Sequence, residues 1–332
     1  MGTAPIFKFY IFMYDIITIG GLIYDIIFLI DKGKVLKTKP DSLKEMLCFK
    51  CGAKIYIKKA FRGPGGGAGN AAASFSRLGL KTAVISCLGN DVYGKVLIDS
   101  LQKNKIETRF IQKTNKALTG FSLINSLESG DLTIFSFRGA DEKLKMPDFK
   151  KIKTKWFYLS SLATPIWQKI LKEVLKIKNV KIAFNPGQVQ IESGFSCLKS
   201  FLPKIDVLIL NQDEARELVF SANKKTETNL KSLAKIISSW GPKITVITAG
   251  KKGAGVLGNG NYFFRKPFRV KPANTTGAGD AFASAFVSSL YYKPNDLKRA
   301  LFWGIKNSAS VIKKFGAQNG LLTLKELKNG KK

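Results

Sequence analysis

The chain has 332 residues, with 55 Lys plus Arg against 23 Asp plus Glu, a formal charge of +32 and no histidine. Without histidine there is no Ser-His-Asp triad, no HExxH zinc site and no imidazole base, so acid–base work falls to carboxylates, Lys, Tyr or Cys. At 45% apolar and 23% charged residues the chain is globular and fits one large α/β domain or two ordinary ones; disorder throughout is excluded.

Cys48, Cys51, Cys87 and Cys197 are too few to staple a fold of this length, and no cleavable signal peptide is legible, which predicts a cytoplasmic protein. The charge suits phosphate-bearing partners, but only eight of the 55 cations are arginine, and base and phosphate readout favours its fork. The lysines spread along the whole chain, with mild densities at 143–155 and 325–332. That spread predicts a solvated surface and no specific nucleic-acid partner, and it favours an anionic substrate.

Residues 9–30 are apolar enough to raise a membrane span. Asp15 and Asp25 would each cost about 2.5–3.5 kcal/mol in hydrocarbon, and Gly20-Gly21 interrupts the run. Two strands joined by a turn fit better, with the β-branched Ile16–Ile19 suited to a strand buried on both faces. No membrane partner is expected, and residues 1–13 read as an N-terminal extension.

Beyond them short apolar runs alternate with helical stretches. Thr82–Cys87, Trp156–Ser160, Lys181–Phe184, Val207–Leu210 and Ile244–Thr248 read as buried strands, and Val92–Lys103 and Pro165–Lys176 as amphipathic helices. The pattern predicts a doubly wound α/β fold with a mostly parallel sheet flanked by helices. Residues 30–62 and 106–137 break the alternation and read as a small inserted β-sheet lid, with Gly130-Asp131 as a hairpin turn. The whole forms one domain over 14–324, with 325–332 as a basic tail.

The glycine motifs need sorting. Gly89–Val96 spells GxxxxGK, but Val96 stands where a P-loop needs a magnesium-binding hydroxyl, so a strand-to-helix turn is the better account. Gly63–Asn70 lacks the clean spacing of a dinucleotide fingerprint. It runs into the helix-forming Ala71–Arg77, and Asn70 can offer its amide to a ligand hydroxyl. Cys48-Phe49-Lys50-Cys51-Gly52 spells half a zinc ribbon whose other half is absent. Asn185-Pro186-Gly187 follows a strand and falls where open α/β sheets bind ligands.

Asn274–Phe282 (NTTGAGDAF) is the strongest signal. Gly277, Ala278 and Gly279 would present backbone N–H groups at the start of a helix over Ala281–Tyr292, an anion site by its unpaired donors and its dipole. Asp280 in that first turn either complements the dipole or takes a proton from a hydroxyl attacking a phosphoryl group.

Together these residues resemble the ribokinase-like, PfkB-type carbohydrate kinase family over roughly residues 14–324. The carriers are Gly65-Gly66-Gly67-Ala68-Gly69-Asn70 near the first quarter and Thr275–Phe282 near the end, in that order. Gly20–Asp25 is similar to the family's first strand and sugar-binding aspartate, and Gly89-Asn90-Asp91 with Gly94 to its GxDxxG turn. Asn211-Gln212-Asp213-Glu214 resembles its NxxE motif, Thr248-Ala249-Gly250 with Gly253 its nucleotide loop, and Ser310–Gly320 the segment closing its adenine pocket. The resemblance implies an ATP-dependent kinase using Mg2+, with room for a monovalent cation. Asp280 would be the base and Gly277, Ala278 and Gly279 the anion hole. Asp25, Gly65, Gly66 and Asn70 would bind acceptor hydroxyls, Asn211 and Glu214 would manage magnesium and phosphate, and Thr248, Gly250, Gly253 and Asn307 would lie near the nucleotide. Arg138 either meets an anionic acceptor or is an exposed arginine. Gly67 stands where the ribokinase form has Lys, which weighs against ribose. The acceptor is then a sugar, with a nucleoside kinase or a non-catalytic ligand-binding relative as alternatives, and a homodimer through the lid is open.

Overall fold

The computed structural model describes residues 13–30, 34–37, 45–126, 132–224 and 226–329. In chain order the strands are β1 (Met13–Ile19), β2 (Ile23–Ile30), β3 (Lys34–Lys37), β4 (Glu45–Cys48), β5 (Ile57–Gly65), β6 (Thr82–Gly89), β7 (Ile111–Thr114), β8 (Phe121–Ser126), β9 (Leu132–Phe137), β10 (Lys153–Leu159), β11 (Lys181–Phe184), β12 (Val207–Asn211), β13 (Ile244–Thr248), β14 (Ala254–Gly258) and β15 (Asn261–Arg265). The helices are α1 (Gly67–Arg77), α2 (Val92–Lys103), α3 (Trp167–Val174), α4 (Gln188–Glu192), α5 (Gly194–Leu198), α6 (Gln212–Asn223), α7 (Leu230–Ser238), α8 (Ala278–Tyr292), α9 (Leu297–Val311) and α10 (Leu324–Lys328).

The main sheet runs β15-β14-β13-β12-β11-β10-β1-β6-β7. The strands from β13 to β7 are parallel, and β14 and β15 close one edge antiparallel. Period-two alternation explains the double cover. Ile17, Phe157 and Phe184 join the apolar cluster of α3 to α7, while their neighbours Ile16, Tyr158 and Ala183 join that of α1, α8 and α9. Asp15, awkward in an apolar run, lies near the start of β1, where its carboxylate accepts from the Lys81 N–H at 2.9 Å, Lys155 at 3.0 Å and the Tyr291 hydroxyl at 2.5 Å. No described helix is long and apolar enough to cross a membrane.

The lid is the second sheet, β5-β2-β8-β9, with β3 and β4 pairing as a separate hairpin. Its boundaries differ from the expected insertions. β2 leaves the core at Ile23 and belongs wholly to the lid, whereas β7 inside the second segment pairs parallel with β6 in the main sheet. A contiguous sequence segment does not show which sheet edge its strands will reach. β8 and β9 pair antiparallel as a hairpin demands, and its expected turn at Gly130-Asp131 lies outside the described residues. Residues 1–12 also lie outside them. Of the C-terminal segment, Leu324–Lys328 is helical, with a capping box between Thr323 and Glu326.

Asp91 accounts for the GxxxxGK segment. It caps α2 by accepting from the Gly94 N–H at 2.8 Å, and its other oxygen accepts from the Thr119 N–H at 2.7 Å, tying the helix to the strand that enters the lid. A second carboxyl pins the lid return. Asp141, buried in a short 3-10 turn, accepts from the Leu22 N–H at 3.2 Å and the Ser86 hydroxyl at 3.4 Å. A Cβ on Gly21 would stand 2.7 Å from its other oxygen, so a side chain at position 21 would push aside the carboxyl that pins the lid return.

Burial pushes the Asp141 carboxyl up to about 7, against the pull of those hydrogen bonds and of Arg138. The folded form therefore holds a proton that the unfolded chain gives up near pH ~3.9, so this group's contribution to stability is lost as pH rises from about 4 to about 7. Asp141→Asn keeps an acceptor and removes the ionisation. The variant's unfolding free energy in urea should gain on the parent's by on the order of 2 kcal/mol between about pH 5 and about pH 8; a pH-independent difference would rule out burial as the cause.

Candidate active site

The parallel strands end at one edge, where open α/β sheets leave a crevice for ligands, and three of the expected motifs sit at those strand ends. β1 delivers Gly20-Gly21, β12 delivers Asn211 and β13 Thr248. α1 and α8 start at this same edge and pack against each other, so two helix N-termini, each a source of unpaired donors and positive potential, face one space.

Backbone crowding there demands glycine. Gly66, the α1 N-cap at φ 83°, places its Cα where a Cβ would collide with the Gly21 carbonyl, and the Ala68 N–H donates to that carbonyl at 3.2 Å. Gly277, the α8 N-cap at φ 76°, lies against Ala317. A Cβ on Gly65 would fall on the Asp25 carboxylate. Gly279 has nothing within 4 Å of its Cβ direction and so borders open space. Ala278 departs from the expected anion hole, since its N–H turns back onto the Thr275 carbonyl at 3.2 Å and is spent in the turn.

The glycine motifs at opposite ends of the chain meet through side chains. Asn70, 4% exposed, donates from Nδ2 to Asp280 Oδ2 at 2.8 Å. Asp280 keeps a partly accessible face, yet the enclosing protein pushes its carboxyl up to about 6, with the Asn70 hydrogen bond pulling the other way. Asp25 on β2 sits opposite Ser122 of β8 and Gly63 of β5. Burial, then the charge of Asp280, pushes it up to about 7, while a hydrogen bond with Ser122 lowers it.

Asn211 and Glu214 form a reciprocal capping box on α6. The Glu214 N–H donates to Asn211 Oδ1 and the Asn211 N–H to Glu214 Oε2, each at 2.8 Å. Burial pushes Glu214 up to about 7, with Asp213, Glu217 and Asp280 adding to it. Beside α8 lies a cavity of about 680 Å³ lined by Thr248, Gly250, Gly253, Gly279, Phe282 and Ser308 among others. Phe268, Val270 and Pro272 give it an apolar wall suited to a flat ring.

One expected residue is placed differently. Asn307 does not line this cavity; it is fully buried, donating to Ser74 Oγ at 3.2 Å and the Ala281 carbonyl at 2.9 Å and accepting from the Leu322 N–H at 2.9 Å. Helical phase turns position 307 inward, and its neighbours Ser308 and Ala309 face the cavity instead. Arg138 is half-buried at the lid return, where its charge acts on Asp141. Asn185 donates to the Ile209 carbonyl at 2.9 Å and accepts from Tyr158 at 3.2 Å, a tie between strand ends.

Sequence reasoning missed Asp141 and Gln318. Gln318 donates from Nε2 to Asn70 Oδ1 at 3.1 Å, although its segment was expected at the nucleotide alone. Ile312 does line the cavity, but the chain then turns away to the lid and to Asn70, a turn marked only by Gly316 at φ 89°. Cys48 ends β4, and no group of three or more Cys, Asp or Glu is placed to hold a metal ion among the described residues.

The pfkB family carbohydrate kinase profile matches residues 50–324. A ribokinase of Staphylococcus aureus is 29% identical over 282 residues, covering 83% of this chain and 91% of its own. An ATP-dependent 6-phosphofructokinase of Thermoanaerobacterium thermosaccharolyticum is 29% identical over 320 residues, covering 92% and 89%. Among solved structures, the nucleoside kinase of Burkholderia thailandensis in complex with inosine superposes with a TM-score of 0.78 at 16% identity, covering 94% of this chain and 96% of its own, a likeness of fold. With the profile spanning most of the chain and both glycine motifs converging on one carboxylate, this protein belongs to the PfkB family of carbohydrate kinases, phosphotransferases that act on a sugar hydroxyl.

Proposed function

We propose that the protein transfers the γ-phosphoryl group of ATP to a hydroxyl of a sugar, with Asp280 as the general base. The observation that carries this is the 2.8 Å hydrogen bond from Asn70 to Asp280, which joins the acceptor side of the cleft to the start of α8. A carboxyl near 6 is mostly ionised at neutral pH yet basic enough to accept the proton of an attacking hydroxyl. Asp25 and Asn70 hold acceptor hydroxyls, with the Gly65 and Gly66 backbone close against them. The backbone around Gly277 and Gly279 and the α8 dipole receive the developing phosphoryl charge. The base of ATP occupies the cavity beside Thr248, Gly250 and Gly253, and the lid excludes water that would otherwise be phosphorylated in the acceptor's place.

Magnesium fits the residues present. Glu214, raised by burial and by three neighbouring carboxylates, lies where a cation would relieve the repulsion. Glu214 and Asn211 would hold the ion through water, as magnesium favours. Bound there it supplies electrostatic stabilisation of the phosphate oxygens.

The acceptor is larger than, or different from, ribose. A side chain on Gly67 would point between Ser160 and Asp280, with a Cβ 3.6 Å from Asp280 Oδ1, so glycine leaves that space to the acceptor. Arg138 and the +32 charge favour an acceptor that already carries an anion, in keeping with the 6-phosphofructokinase among the relatives. Exposed Ile134, Phe135 and Phe137 on β9 support pairing of two copies through the lid.

ADP release from Mg-ATP across pentoses, hexoses, hexose phosphates and nucleosides tests the assignment. One acceptor class should stimulate it, and Asp280→Asn should lower kcat by at least ~100-fold with ATP affinity within about 3-fold. Near-normal turnover by that variant would remove Asp280 from the chemistry. In the parent, kcat should fall below about pH 6 as Asp280 gains its proton. Asp25→Ala should raise the acceptor KM by at least ~10-fold and leave the KM for ATP within about 3-fold; equal losses would make Asp25 a structural residue.

A further inference from the structure

We propose that Gln318 is a positioning residue, which fixes the Asn70 carboxamide so that its NH2 group and not its carbonyl faces Asp280. A carboxamide has one accepting end and one donating end. The Gln318 Nε2 donates to Asn70 Oδ1 at 3.1 Å, and this occupies the accepting end. The donating end is then directed at Asp280 Oδ2, 2.8 Å away. Without Gln318 the amide is free to turn over, and its carbonyl would pair with a protonated Asp280. Gln318 thus biases Asp280 toward the ionised state that a base requires, without touching the reacting atoms.

The segment bearing Gln318 is held on both sides of the cleft. Ala317 lies against Gly277 at the start of α8. Phe315 stacks on Phe61 of lid strand β5, ring centroids 4.2 Å apart and 8° from parallel. Asn319 closes the turn by donating to the Phe315 carbonyl at 2.6 Å. These contacts fix the backbone, and the Gln318 side chain alone carries the hydrogen bond to Asn70. The ionisable groups acting with Asp280 are Asp25 from β2, Glu214 from α6 and Tyr158 from β10, and none is bonded to Gln318.

The inference rests on Asp280 as the base, and its test is read without substrate so that the two can fail separately. In protein carrying carboxyl-13C aspartate, the Asp280 resonance is assigned by its loss in Asp280→Asn, and its titration midpoint is followed by NMR. Gln318→Met removes the donor at similar size, and the midpoint should rise by about 0.5–1 pH unit, the scale of one hydrogen bond to a carboxylate. Gln318→Leu, which lacks the donor and adds no charge, should move it in the same direction and serves if the Met variant fails to fold. In an Asn70→Ala background Gln318→Met should leave the midpoint where Asn70→Ala alone puts it, within about 0.2 unit, because the route through Asn70 is gone. An unmoved midpoint in the single variants, or the same shift with Asn70 absent, overturns the inference. Near-normal turnover by Asp280→Asn would instead overturn the assignment of the base and leave the titration result standing.

Discussion

Two helix N-termini from opposite ends of the chain share one space, and each is seated there by backbone that approaches its neighbours too closely for a side chain. Gly66 against Gly21, Gly277 against Ala317 and Gly65 against Asp25 are contacts that a single Cβ would break. The Asn70–Asp280 hydrogen bond is the product of that closeness, and the rest of the cleft is arranged around it. Both helix dipoles point their positive ends at the same place, which suits a transferring phosphoryl group and helps to keep a buried carboxylate charged.

That help is needed, because the cleft concentrates negative charge in a chain whose surface is strongly positive. The charge of Asp280 raises both Asp25 and Glu214. Burial raises each, since desolvation penalises the ionised form. Some of the lysines form exposed pairs, such as Lys151 with Asp148 and Lys176 with Glu173, while Lys251 and Arg269 line the cavity beside α8. Exposed pairs of that kind contribute little to stability. The overall charge therefore bears on the approach of anionic ligands, while burial pushes the carboxylates of the cleft toward neutrality.

Much of the core was legible because its signals are local. Lys181–Phe184, Ile244–Thr248 and Val92–Lys103 form the elements that their periodicity predicts, with matching ends. Asp91 caps α2 where the failed P-loop suggested a turn. The errors lie where a residue's role depends on distant partners. Asn307 sits two positions before Ala309, which does face the cavity, and helical phase decides between them. The lid strand β2 adjoins β1 in sequence but pairs with β5 and β8, because Gly20-Gly21 redirects the chain. Asp141 and Gln318 carried no motif of their own, and each matters for hydrogen bonds to residues far away in sequence.

The amino-acid sequence by itself determined the class of fold, the family and the chemical types available, because strand and helix periods, glycine spacing and the lack of histidine are properties of short windows or of composition. It also named Asn70 and Asp280. Only the tertiary structure decided that these two are bonded to one another and that Asp280 is close enough to Asp25 and to Glu214 to raise the proton affinity of both. Hydrogen bonds and desolvation act over a few ångströms, and only folding brings residues 210 positions apart within that range.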